Sequence, residues 1–406
     1  MITENKDLRM GQPLWRAYGR PRLGSQSFRG AKKFDVAIIG AGVSGAMTAD
    51  ALAQEGFSVA VLDRRTPATG STAASTALVQ YELDIPLGQL AKRIGEERAR
   101  RIWQRSFLAV AALRARLADF VMDADAVPRR SLYLQGDVLD AAGLRGEAEM
   151  RRKAGLPVRF LAAGVVKEEY GIAGRAALLT GGNLAANPVE LTCAFLRSAV
   201  QAGARLYYPV EVECVDASKQ GVRIHTSRGE FSAGTLVYAT GYEVAKGVPR
   251  AGHQLLSTWA LATVPQKPSG LWPGEVLIWE AADPYIYMRT TPDGRIVCGG
   301  EDEEFEDEAA RDALLPEKTA AIQAKLKKLM PHADVTAEFA WCGTFGGSVT
   351  GSPSIGRVPR QPNCYAVLGY GGNGITFSML AGQILANELS GRGDPDTGLF
   401  SFNRTF

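Results

Sequence analysis

The sequence predicts an α/β protein: a Rossmann-type dinucleotide-binding domain joined to a second, α+β domain with a mixed, largely antiparallel sheet. Three observations predict it. Residues 34–63 read as strand, glycine turn, helix, strand and acid in register. Residues 250–300 alternate short strands and turns around Pro292-Asp293-Gly294, a hairpin signal. Residues 363–391 repeat the strand, glycine turn and helix near the end of the chain.

The first unit has a reason for each residue. The run 36–39 is apolar and β-branched, as a strand buried on both faces requires. Gly40, Gly42 and Gly45 form G-x-G-x-x-G, with Val43 and Ser44 at the helix start. The first glycine permits the tight turn, the second a close backbone approach to a pyrophosphate, and the third close packing of helix on strand. An alanine-rich helix over about 46–54 and a strand over 58–62 follow, and Asp63 can bind a ribose hydroxyl. These residues alone leave NAD and FAD both open.

Composition excludes several classes. The net charge of +3 gives no electrostatic case for nucleic-acid binding. Cys193, Cys214, Cys298, Cys342 and Cys364 are scattered, and the three histidines are far apart, so neither a disulfide framework nor a metal site is expected. No apolar run reaches membrane-spanning length and the amino terminus lacks a signal-peptide core, so a soluble, cytoplasmic protein is expected.

Further elements follow in order. Residues 1–33 form an arm rich in arginine and lysine, expected to lie extended along the surface, with an anionic partner as the alternative. The small and hydroxyl residues from Gly70 to Ala77, among them Thr72, Ala73, Ser75 and Thr76, suit a close-packed phosphate-binding loop. Residues 87–122 read as helix, 131–135 as strand, 147–154 as helix, and Asn187-Pro188 opens a helix to about 201. Strands are expected over 205–215, 221–226 and 230–237, the last ending in Ala239-Thr240-Gly241. The acidic run 301–308 lacks ligand spacing and is expected to cap a helix over 316–330. Gly371, Gly372, Asn373, Gly374 and Ile375 form a glycine turn and a helix N-terminus free of bulky side chains, aimed at something partly negative.

Taken in this order, these motifs resemble the D-amino-acid oxidase superfamily of flavoenzymes, near glycine oxidase and monomeric sarcosine oxidase, over roughly residues 34–400. The resemblance implies an FAD-binding domain of three segments, 34–85, 146–248 and 335–406, and a substrate domain of residues 86–145 and 249–334. It places the pyrophosphate at Gly40, Gly42, Val43, Ser44 and Gly45, and the ribose at Asp63 beside Arg64. Thr72, Ala73, Ser75 and Thr76 fall near the phosphates and flavin, Val212 by the adenine, and Thr240 and Gly241 by the adenosine half. Residues 371–375 meet the flavin pyrimidine edge.

The same comparison shows departures. Arginines that glycine oxidase uses on the substrate side fall on Phe345 and Gly372 here. The carboxylate-binding pair of sarcosine oxidase falls near Val79 and Thr376, and its oxygen-activating lysine near Val297. The expected pocket residues are Tyr287, Arg289, Glu301, Phe345 and Tyr370, with Glu301 suiting an ammonium substrate and Arg289 an anionic one. The linking cysteine of sarcosine oxidase falls on Gly343, one residue past Cys342, so non-covalent FAD is expected. The implied activity is oxidation of a C–N bond in a small amine or amino acid. Hydride passes to flavin N5, the imine hydrolyses, and oxygen or another acceptor reoxidises the flavin. The alternatives are 2-hydroxy-acid oxidation with His253 as base, an NAD-dependent dehydrogenase, and a non-catalytic subunit-type flavoprotein. Substrate, electron acceptor and oligomeric state stay open.

Overall fold

The computed structural model describes residues 1–19, 23–27, 32–120, 125–250, 252–368 and 371–404. Arg20, Arg22 and Arg29 of the basic arm, together with Tyr370, lie outside these residues.

Two sheets carry the chain. In the first the order is Ser354–Arg357, Cys364–Leu368, Gly229–Tyr238, Lys32–Ile39, Val59–Leu62, Arg205–Tyr207. The last five are parallel, and Ser354–Arg357 runs antiparallel on the edge. Their inner residues are apolar because helices cover them. Helices Val43–Gln54, Pro188–Gln201 and Gly374–Leu389 share one core with this sheet, through Met47, Leu52, Leu191, Phe195, Leu380 and Ile384. Val43–Gln54 and Gly374–Leu389 approach closely because their contact is small. A Cβ on Gly382 would lie 3.1 Å from the Met47 carbonyl, and Ser44 Oγ is 3.0 Å from Ser378 Oγ.

The second sheet is larger and mostly antiparallel. Its order is Arg9–Gly11, Ala337–Ser348, His253–Thr263, Ile296–Glu303, Ile286–Thr290, Leu277–Glu280, Ala126–Leu134, Ala177–Ala186, Leu78–Val79, with Val158–Leu161 also on Ala177–Ala186. Only the pair Leu277–Glu280 with Ala126–Leu134 is parallel among the described strands. Helix Leu315–Leu329 covers one face through Ile322 and Leu326. The mixed α/β architecture expected from sequence is present.

Local differences have physical causes. The helical stretch 87–122 is two helices, Leu87–Ile94 and Glu96–Ala118, broken where Gly95 takes φ +89°. The strand expected over 205–215 divides into Arg205–Tyr207 and Val212–Ser218 around Pro209, which has no N–H for a ladder. The acidic run is only in small part a cap. Strand Ile296–Glu303 runs through its first three residues, and Asp307 alone caps a helix, Glu308–Ala313, accepting from Ala310 N at 2.7 Å. The arm is not a surface strap. Arg9–Gly11 pairs with Ala337–Ser348, Thr3 bridges to Ala245, and Leu14 and Trp15 are buried.

The carboxyl-terminal tail is tied down by charge. Arg105 donates to Asp394 at 2.7 Å and Asp396 at 2.6 Å, and Arg101 donates to Asp396 at 2.7 Å. Burial pushes both aspartates up, but the guanidinium hydrogen bonds outweigh it and hold them below the usual range. Their contribution to stability is therefore full above the ordinary aspartate pKa of about 3.9 and lost as pH falls through the lower folded values. Replacing Arg105 by leucine strands buried carboxylates and is expected to cost about 3 kcal/mol at pH 7. Urea unfolding should show that deficit at pH 7, narrowing below pH ~4 as the aspartates protonate in the unfolded state.

Candidate active site

One long cleft opens between the two sheets, and its middle is built from helix N-termini. Strand Lys32–Ile39 ends at Gly40, whose φ is +112° and whose Cβ would lie 2.3 Å from the Ala239 carbonyl. A Cβ on Gly45 would lie 1.8 Å from the Gly40 carbonyl, so Gly45 serves helix–strand packing and does not face the cleft. Gly42, Val43 and Ser44 do face it, and Val43 N donates to Thr72 Oγ1 at 3.1 Å. Helix Gly374–Leu389 brings a second N-terminus to the same cleft through Gly371, Gly372, Asn373, Gly374 and Ile375. In neither helix does the N-cap side chain bond the first turn, and neither first turn holds an acid. Two partial positive charges thus converge on one space.

One end of the cleft carries Asp63, Arg64, Val212, Thr240 and Gly241, with Ile2, Thr3 and Leu8 of the arm. Asp63 accepts from Ala41 N at 2.6 Å and Arg65 N at 2.7 Å. Burial raises its pKa against those two donors. Arg64 and Arg65 both pair with Glu243, at 2.7 Å for Arg65.

Beside the helix N-termini runs the loop 72–76. Thr72, Ser75 and Thr76 line the cleft, whereas Ala73 packs into a separate core with Trp15 and Trp341. Three buried side chains hold this backbone. Trp15 Nε1 donates to the Ser75 carbonyl at 2.6 Å, Trp341 Nε1 to Ala74 at 2.8 Å, and Arg289 Nε to Thr76 at 2.7 Å. Arg289 therefore corrects the sequence reading. It is not a substrate anchor: it lies outside the cleft, 2% exposed, with Nη2 also donating to the Ala186 carbonyl at 2.6 Å. Burial lowers its pKa to about 10.

The other end is lined by Tyr242, Tyr285, Tyr287, Trp279, Thr258 and Phe345, with two carboxylates, Asp84 and Asp302. Tyr287 and Phe345 line the cleft, and Glu301 does not. It sits with φ +59° in a β-bulge, where Thr258 lies opposite both Glu301 and Asp302. The bulge sends Glu301 to helix Leu315–Leu329, 2.5 Å from Lys325 Nζ, and Asp302 into the cleft. Asp302 accepts from Thr258 Oγ1 at 2.6 Å and from Tyr285 OH at 3.2 Å. Burial, with the Asp84 and Glu301 charges adding to it, raises Asp302 to about 6. Asp84 shows surface to the cleft yet is densely surrounded by protein, and burial raises its pKa too, against a hydrogen bond from Gly372 N at 3.0 Å. Sequence reasoning missed both. The available signals were two acids, Glu82 and Asp84, alternating with Tyr81, Leu83 and Ile85, and the acidic run continuing a strand.

His253 lies outside this cleft. Its Nε2 bonds Ser354 Oγ at 2.7 Å, and burial lowers its pKa to about 4. Cys342 faces away from the cleft into the core under helix Leu315–Leu329, while Gly343 lines it. Among the described residues no cysteine or histidine lines the cleft.

The family model for FAD dependent oxidoreductases (DAO) matches residues 35–388. The chain belongs to this family. Among curated relatives, gamma-glutamylputrescine oxidoreductase of Escherichia coli (strain K12) is 24% identical over 369 residues, covering 88% of this chain and 84% of its own. Glycine oxidase of Geobacillus kaustophilus (strain HTA426) is 24% identical over 378 residues, covering 87% and 92%. Solved structures agree in fold. Glycine oxidase from Geobacillus kaustophilus superposes with TM-score 0.75 at 22% identity, over 92% of this chain and 100% of its own. L-amino acid deaminase from Proteus myxofaciens gives TM-score 0.76 at 16% identity, over 96% and 97%.

The protein is thus an FAD-dependent oxidoreductase, and the NAD-dependent alternative falls away. The cleft fits FAD on its own evidence: two helix N-termini with no bond from the N-cap side chain and no acid in the first turn, in one space, suit a pyrophosphate and the electron-rich edge of a flavin. Asp63, the acid expected from sequence to bind a ribose hydroxyl, lines the cleft, and replacing it by asparagine removes its charge. FAD affinity of the apoprotein should fall about 10- to 100-fold, the equivalent of one charge-assisted hydrogen bond of about 1.5–3 kcal/mol. Flavin fluorescence titration measures it.

Proposed function

We propose that this flavoenzyme oxidises a C–N bond in a small amine or amino acid. A C–H bond adjacent to nitrogen breaks, the carbon loses a hydride, and water hydrolyses the resulting imine. Bound FAD supplies the two-electron acceptor for that hydride. Oxygen or another acceptor takes the electrons onward.

The observation that carries this reading is the make-up of the far end of the cleft. It offers carboxylates, phenols and aromatic walls, and no histidine among the described residues. His253, the residue named as base for hydroxy-acid oxidation, hydrogen-bonds Ser354 outside the cleft. The names of two relatives, glycine oxidase and gamma-glutamylputrescine oxidoreductase, support the same substrate class.

The chain's own residues then have definite tasks. Gly42, Val43 and Ser44 bind phosphate at a helix N-terminus, and Asp63 orients the ribose. Thr72, Ser75 and Thr76 form the wall beside the phosphates and flavin. The turn at residues 371–375 stabilises negative charge on the flavin's pyrimidine edge. Phe345, Trp279 and Tyr242 exclude water and confine the substrate. Segments 34–85, 146–248 and 335–406 form the cofactor half and residues 86–145 and 249–334 the substrate half. The strands Val158–Leu161, Ala177–Ala186 and Ala337–Ser348, which pair into the larger sheet, interlock the two. FAD is held without a covalent bond, since no thiol reaches the cleft. All five cysteines are free, which fits a cytoplasmic setting. No helix among the described residues is long and apolar enough to cross a membrane.

Mixing the holoprotein with amines, D- and L-amino acids and hydroxy acids without oxygen tests this reading. The flavin absorbance should bleach with an amine or amino acid, and acid precipitation should release all yellow colour to the supernatant. Bleaching by hydroxy acids alone, or by none of the panel, contradicts it.

A further inference from the structure

The far end of the cleft has a charge that the amine reading does not by itself require. Asp84 and Asp302 both face it, and neither makes an ion pair among the described residues. No lysine, arginine or histidine lines this end among those residues; Arg64 and Arg65 stand at the opposite end, already paired with Glu243. Asp84 Oδ2 accepts from Gly372 N, while Oδ1 has no hydrogen-bond partner among the described residues.

Gly372 explains how Asp84 fits. A Cβ at Gly372 would lie 2.7 Å from Asp84 Oδ1. A side chain at the position that carries a substrate-side arginine in the resemblance would therefore have to displace the Asp84 carboxylate, and here an acid occupies that space. The other such position is Phe345, which is uncharged. Where a carboxylate grip is expected, the sign of the charge is reversed.

The surroundings keep that sign. Tyr285 donates to Asp302, and its own pKa is raised well above normal by burial and by both aspartates. It stays a neutral donor. The β-bulge that aims Asp302 inward holds Glu301 at φ +59°, a conformation that a non-glycine residue adopts at a cost. Two carboxylates facing one cleft repel each other, and a cation received there relieves both. The aromatic side chains of Trp279 and Tyr287 add favourable surroundings for positive charge.

We infer that the substrate is recognised as a cation: Asp84 and Asp302 receive an ammonium group, and the carbon that is oxidised bears no carboxylate. This rests on the amine reading above and narrows it to amines rather than α-amino acids. Transfer of one proton from the bound ammonium to Asp302, with N–H broken and a carboxyl O–H formed, leaves the neutral amine that C–N oxidation requires.

The test uses holoprotein and probes that cannot be oxidised. Tetramethylammonium and benzyltrimethylammonium carry the cation, and acetate and benzoate carry the anion. Each is titrated while the oxidised flavin spectrum is followed. The cations should perturb the spectrum saturably and the carboxylates should not. Asp84→Asn and Asp302→Asn, each checked for full FAD content, should weaken cation binding at least tenfold. Either variant suffices if the other fails to load FAD. Binding of carboxylates, silence of the cations, or cation binding unchanged in a loaded variant overturns the inference. None of these probes turns over, so the result is separate from the bleaching experiment. A cation site without amine oxidation would sink the activity and leave the site standing.

Discussion

Two helices, Val43–Gln54 and Gly374–Leu389, lie against each other with their N-termini at the same cleft, and the rest of the molecule is arranged to permit it. Such an approach demands small residues. Gly45 lies where any Cβ would strike the Gly40 carbonyl, and Gly382 rests on the Met47 backbone. Paired N-termini repel one another; Thr72 Oγ1 at Val43 N and the Asp84 carboxylate at Gly372 N offset part of that, and an electron-rich partner at each N-terminus offsets more. A dinucleotide with a pyrophosphate at one point and a flavin pyrimidine edge at another supplies both.

Around that centre, stiffness is provided by buried donors to loop carbonyls. Trp15, Trp341 and Arg289 come from three different strands or turns and converge on residues 74–76. The arm that supplies Trp15 also contributes Leu8 and Thr3 to the cleft wall. An amino-terminal segment that looks dispensable in sequence is thus part of the cofactor enclosure. On the other sheet, one bulge decides which acid of a run faces the cleft.

Legibility in the sequence followed the range of the forces. The Rossmann unit and the carboxyl-terminal turn were readable because the glycine constraints act within a few residues. Seventeen of the residues singled out for FAD line the cleft, among them Thr72, Val212 and Asn373, while Gly45 and Ala73 pack behind it. Arg289 and Glu301 were misplaced for a different reason. The face on which a strand residue lands depends on register and bulges, and these depend on pairing with other strands, such as Ser257 opposite Glu303, that no local motif announces. Asp84 and Asp302 belong to no motif, and their meaning emerges only when the loop at 84, the bulge at 302 and the bare backbone of Gly372 meet.

The most direct measurement is the electron density of crystals grown with FAD. The account predicts the pyrophosphate within hydrogen-bonding distance of the Val43 or Ser44 amides, and the pyrimidine edge at the N-terminus of Gly374–Leu389. Asp84 and Asp302 should then lie on the open side of the flavin. A flavin bound elsewhere, or one whose open side is remote from both aspartates, would contradict it.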